Sequence, residues 1–135
     1  MKTLVFLWLA VIIAPFRTLE PMPDQASAEF SKKITEAIRK GSSSELSSYF
    51  ASTIDLTVPG KEGSFSKAQA EQIVKDFFVQ NQPKSFTIKH NGSSNDGSQY
   101  SVGTYVTAKN TYRSYFLIKN VSGKFYLLQL QFELD

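Results

Sequence analysis

The chain has no cysteine among its 135 residues and a single histidine, His90. The first absence excludes disulfides, thiolate metal sites, thiol nucleophiles and lipid attachment to a cysteine behind a signal sequence. The second leaves no Cys/His metal set and no partners for a His-based triad, so His90, at a strand end, reads as a rim residue. An excess of one charge is lacking too. Fifteen basic residues oppose twelve acidic ones, and Lys2 and Arg17 fall in a segment read as a leader, which leaves thirteen against twelve. That balance provides no basic stripe for nucleic acid, and Lys32, Lys33, Arg39 and Lys40 read as the solvated face of a helix. No catalytic constellation, metal site or cofactor motif stands out.

Long apolar runs are also missing. The uncharged stretch Leu4 to Phe16 covers thirteen residues, too few to span a bilayer comfortably. Placed after Lys2, it matches the hydrophobic part of a secretory signal. We read residues 1–24 as a signal peptide or retained anchor. Cleavage falls as late as residue 28, because Ala26-Ser27-Ala28 is the available small-x-small pattern. Residues 29–135 then form one exported domain, periplasmic or at the cell surface, with no stable membrane span. That length buries a working core without staples. With 41% hydrophobic and 20% charged residues, disorder is excluded as the main state. Eleven Phe and six Tyr favour strands.

Three amphipathic segments precede the strands. Phe30, Ile34, Ala37 and Ile38 share one face of a helix over Glu29 to Lys40, with Gly41 placed as its C-terminal cap. Ser43 or Ser44 can cap a second, carrying Leu46, Tyr49 and Phe50. Thr53 to Val58 alternates as a strand and stops at Pro59-Gly60. Ser66-Lys67-Ala68-Gln69 has capping-box spacing, and the helix after it carries Ala70, Ile73, Val74, Phe77 and Phe78 in one stripe. Strand-like runs follow at Phe86 to His90, Gln99 to Ala108, Thr111 to Asn120 and Lys124 to Leu134. The fold class is α+β, with three N-terminal helices packed on a curled antiparallel meander.

Turn lengths then set a register. A two-residue turn at Lys109-Asn110 places Val106 opposite Arg113 and Thr104 opposite Tyr115. A four-residue loop over Asn120 to Gly123 places Leu117 opposite Tyr126 and Arg113 opposite Leu130. Tyr126, Leu128, Leu130, Phe132 and Leu134 mark the covered face, which carries Arg113 inward beside Tyr100, Thr104 and Tyr115 as a candidate pocket for a small, partly anionic ligand. An ion pair, with Asp55 for one, is the structural alternative; a three-residue turn or a bulge moves Arg113 outside. Tyr105, Tyr112, Phe116, Ile118, Phe125 and Leu127 then form an outer apolar face, a candidate surface for a homodimer or protein partner.

The run Ile54 to Gly63, then Ser66-Lys67-Ala68-Gln69-Ala70, Lys75-Asp76-Phe77-Phe78 and Tyr112-Arg113, resembles a family of small exported bacterial proteins of unknown function. That family is placed in the nuclear transport factor two-like, cystatin-like superfamily. The resemblance spans about residues 30 to 134 and implies a cone in which helices close a strongly curved sheet around a pocket. The superfamily holds isomerase-like and dehydratase-like enzymes beside many binding and dimerisation modules, so the fold does not choose a function. The leading expectation is a non-catalytic exported module. The alternatives are an isomerase- or lyase-type pocket enzyme using Asp55 as base and a surface protein that binds anionic polymers.

Overall fold

The computed structural model describes Pro15 and residues 23–135. The leader read over residues 1–24 lies outside these apart from Pro15 and the first two positions of the first helix. The elements are α1 (Pro23–Lys40), α2 (Ser43–Ser47), β1 (Phe50–Val58), β2 (Lys61–Ser66), α3 (Lys67–Gln80), β3 (Ser85–Ser93), β4 (Gln99–Val106), β5 (Thr111–Val121) and β6 (Lys124–Leu134). One six-stranded sheet has the order β2-β1-β6-β5-β4-β3. The architecture is the expected α+β cone, but the sheet is mixed. β1 runs parallel to β6, pairing Leu56 with Leu130, while every other pairing is antiparallel.

Local chemistry explains the element ends. Gly41 takes φ +64° after α1, where a side chain would be strained, and its amide donates to Ile38 O. Ser42, one residue earlier than expected, caps α2 by accepting from the Glu45 amide. The capping box at α3 is present in both directions, between Ser66 Oγ and the Gln69 amide and between Gln69 Oε1 and the Ser66 amide. α1 begins six residues before the predicted start, so Ala26-Ser27-Ala28 lies in its N-terminal part. β2 went unforeseen because Lys-Glu-Gly-Ser has little strand propensity. It is held as an edge by pairing with β1 across the Pro59-Gly60 turn, where Gly60 takes φ +84°.

The register corrects the expected faces. Thr107 Oγ1 accepts from the Lys109 and Asn110 amides, and the Thr107 amide donates to Asn110 O, so the β4–β5 loop takes four residues rather than two. Val106 therefore meets Thr111, and Thr104 meets Arg113. The next turn is shorter than expected. Ser122 and Gly123, at φ 54° and 87°, make a two-residue turn between paired Val121 and Lys124. The decisive feature is in β6, where Ile118 pairs with Leu127 but Leu117 pairs with Gln129, leaving Leu128 as an extra residue. Such a bulge moves the rest of a strand by one residue and exchanges its faces. Leu130 accordingly opposes Phe116, not Arg113, and Phe132 opposes Ser114.

The covered face of the sheet therefore carries Tyr105, Tyr112, Phe116, Ile118, Leu127, Leu130 and Phe132, all buried. The stripe of α3 packs onto it. Phe77 stacks on Phe132 at 4.7 Å between ring centroids and meets Tyr112 edge-on at 5.3 Å, and Phe78 packs against Tyr105. Ile34, Ala37 and Ile38 of α1 and Leu46 of α2 complete the cluster. Gly103 lets β3 and Phe86 close in, since a Cβ there would lie 2.7 Å from Thr87 O and 2.9 Å from the Phe86 ring. Phe77→Ala leaves a cavity at the centre of this cluster and loses about 3–5 kcal/mol in chemical denaturation. Val79→Ala, on the exposed side of the same helix, changes stability by less than about 0.5 kcal/mol.

Candidate functional site

The face turned away from the helices gathers most of the residues singled out for a pocket, but in the open. Arg113 is exposed, and Tyr100, Thr104 and Tyr115 are half-buried beside it on β4 and β5. Asp55 shares this face two strands away, exposed, and accepts a hydrogen bond from Ser64 Oγ. The inward placement of Arg113 is thus corrected, and Asp55 does not enter the cone. The expected interface residues move the opposite way. Tyr105, Tyr112, Phe116, Ile118 and Leu127 are core, and Phe125 is half-buried, stacked on Phe30 of α1 at 5.5 Å. The bulge at Leu128 is the cause in both cases. Its sequence signal is Leu127-Leu128, two consecutive apolar residues that break the alternation.

At the centre of the open face, Tyr100 and Tyr115 stack at 6.1 Å with planes 20° apart. Val102 and Leu117, both half-buried, flank them. The Tyr100 ring lies over Gly92 of β3, where a Cβ would fall 2.3 Å from Cζ and Oη, and its hydroxyl lies 3.3 Å from His90 Nε2. His90 does not end its strand, since β3 continues to Ser93, and it lies beside this stack from within β3. Burial raises the Tyr115 phenol above its ordinary value, and the adjacent Tyr100 adds to the shift. Gln129, Gln131 and Glu133 line the neighbouring strand, and Arg113 pairs in register with Glu133 without an ion pair between them. Beyond the face, Asp96 in the β3–β4 loop is held below the usual carboxylate range by the Ser98 hydroxyl and amide, with Lys119 assisting.

The other end of the sheet is organised by Asn81, which follows α3. Its amide and its Nδ2 both donate to Phe77 O, its carbonyl accepts the Tyr105 hydroxyl at 2.5 Å, and its Oδ1 accepts the Tyr112 hydroxyl at 2.6 Å. Two core tyrosines thereby satisfy their hydroxyls on the end of the helix that covers them. A cleft of about 360 Å³ opens beside this junction, between α3 and the Pro59-Gly60 turn. A wider one of about 540 Å³ at the α1–α2 connection carries Arg39, Lys40 and Lys75. Arg39 is already bonded to Glu36 and Phe86 O, and Lys40 to Glu45. Among the described residues no group of three His, Asp or Glu side chains is placed to hold a metal, and no helix is long and apolar enough to cross a membrane.

Comparison with known proteins fits this geometry. The family model of DUF4783, a domain of unknown function, matches residues 31–133. The chain belongs to the DUF4783 family. A DUF4783 crystal structure from Bacteroides uniformis is 26% identical and superposes with a TM-score of 0.71 over 77% of this chain and 95% of its own. Another, from Bacteroides fragilis, is 25% identical with a TM-score of 0.71 over 76% and 96%. An NTF2-like protein of unknown function from Shewanella baltica, 16% identical, has a TM-score of 0.59 over 82% and 91%, which places the DUF4783 fold among nuclear transport factor two-like cones. No curated protein matches the chain.

The Tyr105 junction makes a pH prediction for this DUF4783 protein. Burial, with Tyr112 nearby, raises the phenol well above its ordinary 10.0. The unfolded chain therefore ionises first. The stabilisation is complete below pH 10.0 and is lost as pH rises above it. Urea midpoints measured through this range fall with rising pH, and Tyr105→Phe shows a shallower fall.

Proposed function

We propose that the chain is an exported, non-catalytic association module, two copies of which meet through the open sheet face. The observation that carries this reading is the Tyr100–Tyr115 stack with Val102 and Leu117, an apolar centre on a face that none of the described helices covers. A two-fold contact joins a patch to itself, so the patch must carry both signs of charge. Arg113 and Glu133 do so as exposed register neighbours, and a second copy turned about an axis near them sets each against its opposite. An apolar centre with a polar rim is the composition of such an interface. Gln129 and Gln131 supply amides at that rim. The uncharged run after Lys2 supports export.

A base catalyst at Asp55 finds little support, because that carboxylate is exposed beside Ser64 on the open face, away from the aromatic interior. Two adjacent substitutions on β5 test the association. Leu117→Glu on the open face shifts the protein to monomer in sedimentation while its circular dichroism is retained. Phe116→Glu, one residue away and pointing into the core, instead unfolds it. A wild-type protein that sediments as a monomer sinks the reading.

A further inference from the structure

The cleft between the Pro59-Gly60 turn and α3 holds two opposite charges that do not meet. Lys61, the first residue of β2, and Asp76, on α3, both line it and both are exposed, yet no ion pair joins them. Asp76 accepts one hydrogen bond, from Gln72 Nε2 to Oδ1, so its second oxygen has capacity left. The helix itself raises the negative potential here. α3 has no basic residue in its last turn, so no side chain of that turn offsets the carbonyl end of the helix. A cation near that end is favoured, and an ammonium group bound beside Asp76 would meet both the carboxylate and the helix end. Sites where a chain departs from local rules in this way are where function is to be sought.

The floor of the cleft is packed, and its size suits a small body. Val58 and Phe77 are buried beneath it, Phe77 within the aromatic cluster. Asn81 is immobilised by the bonds to Phe77 O and to the two tyrosine hydroxyls, and still has one Nδ2 hydrogen uncommitted. A volume of about 360 Å³ lies within the range of small-molecule sites. The geometry points to a binding site for a small zwitterion, an α-amino acid or the backbone of a short peptide. Its ammonium group faces Asp76 and the carbonyl end of α3, its carboxylate faces Lys61, and its polar middle meets Asn81. A free amino acid and a dipeptide share this chemistry. The site is independent of the open sheet face and stands whether or not two copies associate.

Titration of the isotope-labelled full chain with dialanine, with free alanine, and with dialanine blocked at both ends distinguishes the cases, read by amide chemical shifts. The expected result is saturable shifts confined to Gly60, Lys61, Asp76 to Asn81 and Tyr112, with the unblocked probes only. Lys61→Gln and Asp76→Asn, at exposed positions that leave the core intact, each weaken the affinity about ten-fold or more. Saturation by dialanine alone assigns a peptide backbone, and saturation by alanine assigns a free amino acid. The proposal is overturned if neither unblocked probe shifts these amides, if the blocked peptide binds as well, or if both substitutions leave the affinity unchanged.

Discussion

One extra residue in the last strand decides what this protein can show to its surroundings. Leu128 takes no partner in β5, so the pairing of β6 advances by one, and Leu130 and Phe132 turn to the same side as Phe116 and Tyr112. Tyr105, Tyr112, Phe116 and Ile118 of β4 and β5 then face the helices, while Arg113 and the Tyr100–Tyr115 stack face away. Without that step, the α3 stripe would meet Arg113 and Tyr115, and a guanidinium would lie in an apolar interior at a cost of several kcal/mol, a figure of about that order for any unpaired buried ion. The bulge is thus what makes the helix stripe and the sheet compatible.

Much of the architecture was legible because it rests on local chemistry. The capping box at Ser66 and Gln69, the glycine at the end of α1 and the period of Ala70 to Phe78 each specify a backbone conformation through neighbours in sequence, and α3 and the end of α1 appear where these signals place them. By contrast, α1 starts six residues early, and Tyr49 and Phe50, read as part of the second helix, lie beyond α2, Phe50 opening β1. The strands of β4 and β5 were equally clear as alternating runs. What alternation does not contain is which of its two phases is inside. That choice passes from strand to strand through turn lengths and bulges, and two turns and one bulge differed from the simplest reading. Thr107 captured two amides that a tight turn would have left to water. β2 was missed for a different reason, since an edge strand of polar residues is created by its partner rather than by its own propensity.

The candidate site followed the same division. The residues named for a pocket do stand together, because Tyr100, Thr104, Arg113 and Tyr115 are linked by parity alone, and parity survived the change in turn length. Their exposure did not survive, because it depended on β6. Asn81, Lys61 and Asp76 had no comparable signal. They come from the end of one helix and the start of an unforeseen strand, and only the closure of the β1–β2 hairpin against α3 places them around one cleft.

The two free margins of the sheet add a last consequence. β3 carries a bulge of its own, with Lys89 left out of the pairing between Ile88 and His90, and the opposite margin, β2, is six residues long and opens with Lys61 and Glu62. An incoming strand needs a straight, unbroken row of amides and carbonyls, and neither margin offers one. The sheet therefore resists lengthening sideways into a ribbon of many chains. This DUF4783 domain is thus poorly suited to templating fibres of itself through its sheet margins.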